Sequence, residues 1–135
     1  MPTAKRELAI AALATRLNAT RNPYPQDYDE TPFYALIEGE ETVLSRDYDD
    51  VLVVASLTVE AINRYDEDAS RTTAANALLA YLISTALGAD PTLGGLAEGL
   101  TYTGGATLFS DTGSVLIGAV ARFDLTYRHV AGSPY

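Results

Sequence analysis

Residues 51–62 read Val51-Leu52-Val53-Val54-Ala55-Ser56-Leu57-Thr58-Val59-Glu60-Ala61-Ile62. Val51, Val53, Ala55, Leu57, Val59 and Ala61 fall on every second position, with Ser56, Thr58 and Glu60 between them. A period of two is the spacing of side chains along a strand, so this stretch predicts a strand with one buried and one wet face. Residues 114–128 repeat the pattern, with Val115, Ile117, Ala119, Ala121, Phe123, Leu125 and Tyr127 facing one way. Leu100 to Phe109 alternates more weakly around Gly104-Gly105, a bulge or bend, and Asp111-Thr112-Gly113 turns it into the last strand as a hairpin. Upstream, Phe33 to Glu38 is a short strand, Gly39-Glu40-Glu41 is a turn candidate, and Thr42 to Ser45 is a second piece before Arg46-Asp47-Tyr48-Asp49-Asp50.

Helical spacing takes over elsewhere. Residues 3–19 are rich in Ala and Leu, with Thr3 placed as an N-cap and Ile10, Leu13 and Leu17 on one face. Asn22-Pro23-Tyr24-Pro25 ends that helix, because proline removes a backbone donor and restricts its predecessor. An acidic loop follows through Asp27, Asp29 and Glu30 to Thr31-Pro32. A second helix is predicted over residues 69–87. Asp66, Glu67, Asp68 and Ser70 satisfy its first amides, Ala77, Leu78, Tyr81, Leu82 and Thr85 form its stripe, and Gly88 ends it. Asp90 to Gly99 is a loop. The order predicts one domain over residues 1–135, a two-layer α+β fold with a mixed or antiparallel sheet of about four strands and two helices packed on one face.

The chain has 135 residues and a formal net charge of −9, with no cysteine and one histidine. Without cysteine there is no disulfide scaffold, zinc ribbon or thiol nucleophile, and the composition fits a reducing compartment or a particle assembled there. The charge is uneven: +3 over residues 1–21, −9 over 22–63 and −3 over 64–135. Such a middle segment repels phosphate, which argues against a basic nucleic-acid groove and against an anionic membrane surface. The apolar run Leu8 to Ala14 is too short for a signal-peptide core and reads as helix, and no stretch approaches the roughly 20 apolar residues that span a bilayer.

No catalytic constellation emerges. His129 stands after the last strand, and grouping it with Ser110 and Asp111 lacks the G-x-S-x-G elbow of a serine hydrolase. Asp47-x-Asp49-Asp50 opens like a calcium loop, yet Leu52 stands where glycine is needed and Thr58 where a bidentate Glu is needed. The glycines at 94, 95 and 99 spell no dinucleotide fingerprint, and no G-K-[ST] cradles a phosphate. No metal, cofactor or enzyme activity is expected. What remains is contact surface. Tyr24, Tyr28 and Tyr48 stand among acids and either cover the open end of the sheet or bury their rings against a partner. Asp47, Asp49 and Asp50 are either a solvated turn or an acidic channel lining or docking patch.

The order of elements, with the strand Phe33-Tyr34-Ala35-Leu36-Ile37-Glu38 and the closing strand Arg122-Phe123-Asp124-Leu125-Thr126-Tyr127, resembles the tail terminator proteins of long-tailed phages, the minor tail protein U family. The resemblance spans nearly the whole chain and implies a structural protein. Such a protein forms a ring of six copies on the head-proximal end of the tail tube, stops the tube's growth and presents a surface to the head-neck connector. It implies as partners the chain itself and the tail tube protein, with DNA passing through without specific binding, and a location in the virion tail after synthesis in the host cytoplasm. An acidic lining would then repel DNA and prevent sticking. Two other readings stay open: a neck or tail-completion adaptor, and an acidic DNA mimic that inhibits a DNA-binding enzyme.

Overall fold

A computed structural model describes residues 3–65, 70–88, 90–109 and 115–135. In chain order the elements are α1 (Lys5–Leu17), β1 (Thr20–Arg21), a 3-10 turn (Pro25–Asp29), β2 (Phe33–Arg46), β3 (Asp50–Arg64), α2 (Arg71–Leu87), β4 (Gly99–Phe109) and β5 (Leu116–Val130). The architecture is α+β. Among the described residues the sheet has five strands in the order β1-β2-β3-β5-β4, one more than expected. The extra strand is β1, two residues parallel to β2 at Ala35 and Leu36. So short a pairing leaves no periodicity to read.

The alternation at 51–62 governs the packing. Val51, Val53, Ala55, Leu57, Val59 and Ala61 are all buried, as are Ile117, Ala119, Ala121, Phe123, Leu125 and Tyr127 of β5. Register places Val53 beside Tyr127, Leu57 beside Phe123 and Val59 beside Ala121, so one continuous apolar face forms. α1 contributes Ala9, Ile10, Leu13, Ala14 and Leu17 to the same core, and α2 contributes Ala75, Leu78, Leu82 and Ala86. Ser56 and Thr58 lie on the opposite, wetter face.

Several boundaries differ from the sequence reading, each for a physical reason. α1 begins at Lys5 with Ala4 as its N-cap and no side-chain cap, so Thr3 does not cap it. α2 is capped by Ser70, whose hydroxyl accepts from the Thr73 amide at 3.4 Å, while Asp66, Glu67 and Asp68 lie outside the described residues. Leu78 and Leu82 are buried as expected, but Ala75 and Ala86 complete the stripe while Ala77 and Tyr81 are exposed, because in a helix this rich in alanine small residues serve as well as large ones against a sheet. Gly88 follows the helix at φ 56°, a conformation that favours glycine. The turn expected at Asp111-Thr112-Gly113 lies outside the described residues, although β4 and β5 pair antiparallel as a hairpin requires. His129 belongs to β5 and does not follow it.

The largest correction concerns Gly39-Glu40-Glu41. This is no turn: β2 runs unbroken from Phe33 to Arg46, with register shifts between Glu38 and Glu41 and between Val43 and Ser45. The glycine marks a bulge, where one strand carries extra residues without leaving the sheet. A Cβ at Gly39 would lie 2.7 Å from the Ser56 carbonyl oxygen. We therefore expect Gly39→Ala to cost about 1–3 kcal/mol, the range for forcing extra atoms into a packed site, read as a lower midpoint in urea at unchanged slope.

The core has one polar defect. The Tyr127 hydroxyl is buried and has no hydrogen-bond partner among the described residues. Leaving such a group unpaired costs desolvation energy that a phenyl ring does not incur. Tyr127→Phe is expected to raise stability by about 1 kcal/mol in the same denaturation experiment.

Candidate interaction surface

The residues singled out in the sequence separate into two places. Asp47, Tyr48 and Asp49 form the tip of the β2–β3 hairpin, closed by the Asp47 amide donating to the Asp50 carbonyl at 2.8 Å. Asp50 itself begins β3 and is half-buried, its neighbour Asp49 accepting from the Ala131 amide at 3.0 Å through its backbone. Tyr48 is 97% exposed, so its ring covers nothing. Tyr24 is also exposed, at 70%.

Tyr28 behaves differently. Its ring lies 4.9 Å from that of Phe33, and its hydroxyl donates to Glu60 at 3.1 Å. Burial and the nearby Glu60 carboxylate push its pKa above the ordinary tyrosine value. Tyr28 therefore caps the wetter sheet face beside Ala35, and of the three rings it is the one with the covering role. Glu60 stands ten residues along β3 from Asp50, so the Tyr28 site and the acidic tip are about 33 Å apart. They are two sites at opposite ends of the sheet.

The acidic middle segment is partly neutralised inside the molecule. Arg21 bridges Glu7 of α1 and Glu38 of β2, the latter at 3.0 Å, and Asn22 adds an amide to the same Glu38 carboxylate at 2.6 Å. Arg6 reaches Glu41 at 3.5 Å and the Gly39 carbonyl at 3.0 Å. The basic N-terminal segment is thus folded onto the acidic one. The Asp47–Asp49 tip has no ion pair of this kind among the described residues.

The exposed arm of β2 that leads to this tip is the feature that sequence reading missed. From Gly39 to Asp49 every residue is exposed, including Val43 and Leu44 at 42% and 55%. Beyond Leu36 no strand lies on the outer side of β2 among the described residues. Three glutamates within four positions of a strand, Glu38, Glu40 and Glu41, are a sign of an edge strand, since charges there discourage uncontrolled pairing. No protein-family model matches the chain, and no curated protein matches it at a significant level.

The Arg21 bridge has a pH signature. The guanidinium holds the Glu7 carboxyl below its ordinary value, chiefly through the hydrogen bond between them. A carboxylate whose folded pKa is depressed contributes stability above its unfolded pKa and loses it as pH falls through the folded one. Arg21→Gln should cost about 1 kcal/mol at pH 7, small because Glu7 is half-exposed, and its deficit against the parent chain should shrink as pH falls below about 4. Denaturation midpoints of both chains across that range check it.

Proposed function

We propose that this chain is a structural, non-enzymatic tail terminator of a long-tailed phage: a ring of copies that seats on the head-proximal end of the tail tube, ends its growth and offers the neck a docking surface. The observation that carries the reading is the exposed end of the β2–β3 hairpin. Eleven successive exposed residues in a chain that otherwise builds an apolar core add little to the fold's own stability, and exposed aliphatic and aromatic side chains there suit contact with another protein. The order of elements through β5 is the one on which the family resemblance rests. A neck adaptor shares these features. The DNA-mimic reading is weakened, because Glu7, Glu38 and Glu41 already have arginine partners within the molecule.

The acids at the hairpin tip sit at a strand end. In a ring whose strands run along the channel that end lies at the rim, and there the acids would keep DNA phosphate from adhering at the mouth. Added to polymerising tube protein, the chain should arrest growth at substoichiometric amounts and leave density at one end of each tube in electron micrographs. Growth to the length seen without it overturns the reading. Asp47→Lys with Asp49→Lys and Asp50→Lys should leave tube length unchanged and lower infectivity; unchanged infectivity removes the electrostatic role.

A further inference from the structure

We infer that copies of this chain join head to tail through their sheet edges, the free half of β2 in one copy pairing antiparallel with β4 of the next, so that the sheets form one continuous wall with the helices outside. The edges are at opposite sides of the sheet, and each lacks a neighbour among the described residues. On β2 the first part of the edge is occupied: β1 pairs at Ala35 and Leu36, Asn22 accepts from the Glu38 amide at 3.0 Å, and Arg6 takes the Gly39 carbonyl. Only the stretch from about Glu40 to Arg46 is left. Strand direction alternates across β2, β3, β5 and β4, so a copy added in the same orientation sets its β2 antiparallel to the preceding β4. Pairing of this kind uses both edges. Two β2 edges meeting about a two-fold axis would leave β4 open, with Leu108 and Phe109 still exposed on it.

The offset between the two edges favours a closed wall. The free part of β2, Glu41–Arg46, lies beside Ala55–Val51 of β3, whereas β4 lies across β5 from Val54–Asn63 of β3. Bringing the edges together therefore shifts each copy about five residues, or about 17 Å, along the strands while four strands advance it about 19 Å sideways. Those lengths tilt the strands by about 40°, within the 35–45° that closed barrels adopt. β1 and Asn22 act as the stop that prevents unstaggered joining. The direction of the shift also matters. With β3–α2–β4 crossing in the usual right-handed sense, the strands climb in the sense that sheet twist requires only when α1 and α2 face outward. The wall facing the channel is then the wetter sheet face, which carries Ser56, Thr58, Arg122, Asp124 and Thr126.

This pairing shares with the proposed function only the assumption that copies assemble. Because the chain has no cysteine, engineered thiols report it without background. Ser45→Cys with Thr103→Cys, and separately Thr42→Cys with Ala106→Cys, place exposed thiols on the two edges at neighbouring positions of the inferred register. On oxidation at least one double variant should give a ladder of linked copies ending in one discrete, closed product on a non-reducing gel, while the four single variants stay uncrosslinked. Dimers from a single variant, which mean that an edge meets its own copy, overturn the inference. So does the absence of linked species from both double variants across protein concentrations at which folding is confirmed by circular dichroism. A closed product from protein that fails to arrest tube growth would leave the pairing standing and remove the terminator reading; arrest without cross-links would do the reverse.

Discussion

The pairing of β3 with β5 is the constraint on which the rest of the molecule depends. These strands match residue for residue from Asp50–Val130 to Arg64–Leu116 without a bulge. Side chains alternate strictly along each strand, so a slip of one position would turn every buried valine and leucine to water and every polar residue to the core. The helices need no strong amphipathic signal of their own, because the sheet already presents a continuous apolar surface. Alanines at 9, 14, 75 and 86 are enough to let the helices come close to it.

The edges follow from that centre. A strand fifteen residues long with a partner on each side needs a partner of similar length, and β2 reaches that length only by carrying its bulges. Bulging accommodates extra residues where Gly39 passes the Ser56 carbonyl, and it bends the outer strand away from a flat template for unwanted pairing. The glutamates on β2 serve two ends. Glu38 and Glu41 draw Arg21 and Arg6 across from the N-terminal segment and fix α1 and β1 against the sheet, while Glu40 stays exposed.

Legibility in the sequence tracked the strength of the periodic signal. The two strands with clean alternation, and the faces they bury, could be read almost residue by residue. The helices were located correctly, and so were Leu78 and Leu82 in α2's buried stripe, but Ala77 and Tyr81 were not, since alanine and tyrosine carry little information about which side faces a sheet. Gly39 misled because glycine marks both turns and close approaches, and only the Ser56 backbone, which lies across the hairpin, distinguishes them. Asp47 and Asp49 were recognisable as a solvated turn, whereas Tyr48, one of the rings offered as covering the sheet's open end, covers nothing. The distance of that turn from Tyr28 was not legible, because it is set by the length of β3, and the sequence reading had broken β2 in two.

The uneven charge is better understood as a folding device than as a surface. Read along the chain, the −9 segment suggests a strongly repulsive patch, but opposite charges on neighbouring segments meet where Arg6 of α1 and Arg21 of β1 reach the glutamates of β2, and the field outside is correspondingly weaker. Of the acids left without an arginine partner among the described residues, Asp27, Glu30, Glu40 and Glu60 are spread over the molecule, while Asp47, Asp49 and Asp50 gather at the β2–β3 turn, beside the end of β5. Charge gathered there acts on whatever approaches that end first. Electrostatics of that kind governs approach and orientation more than affinity, while the exposed backbone edge of β2 and the aliphatic side chains of Val43 and Leu44 are the parts suited to holding a partner once it has arrived.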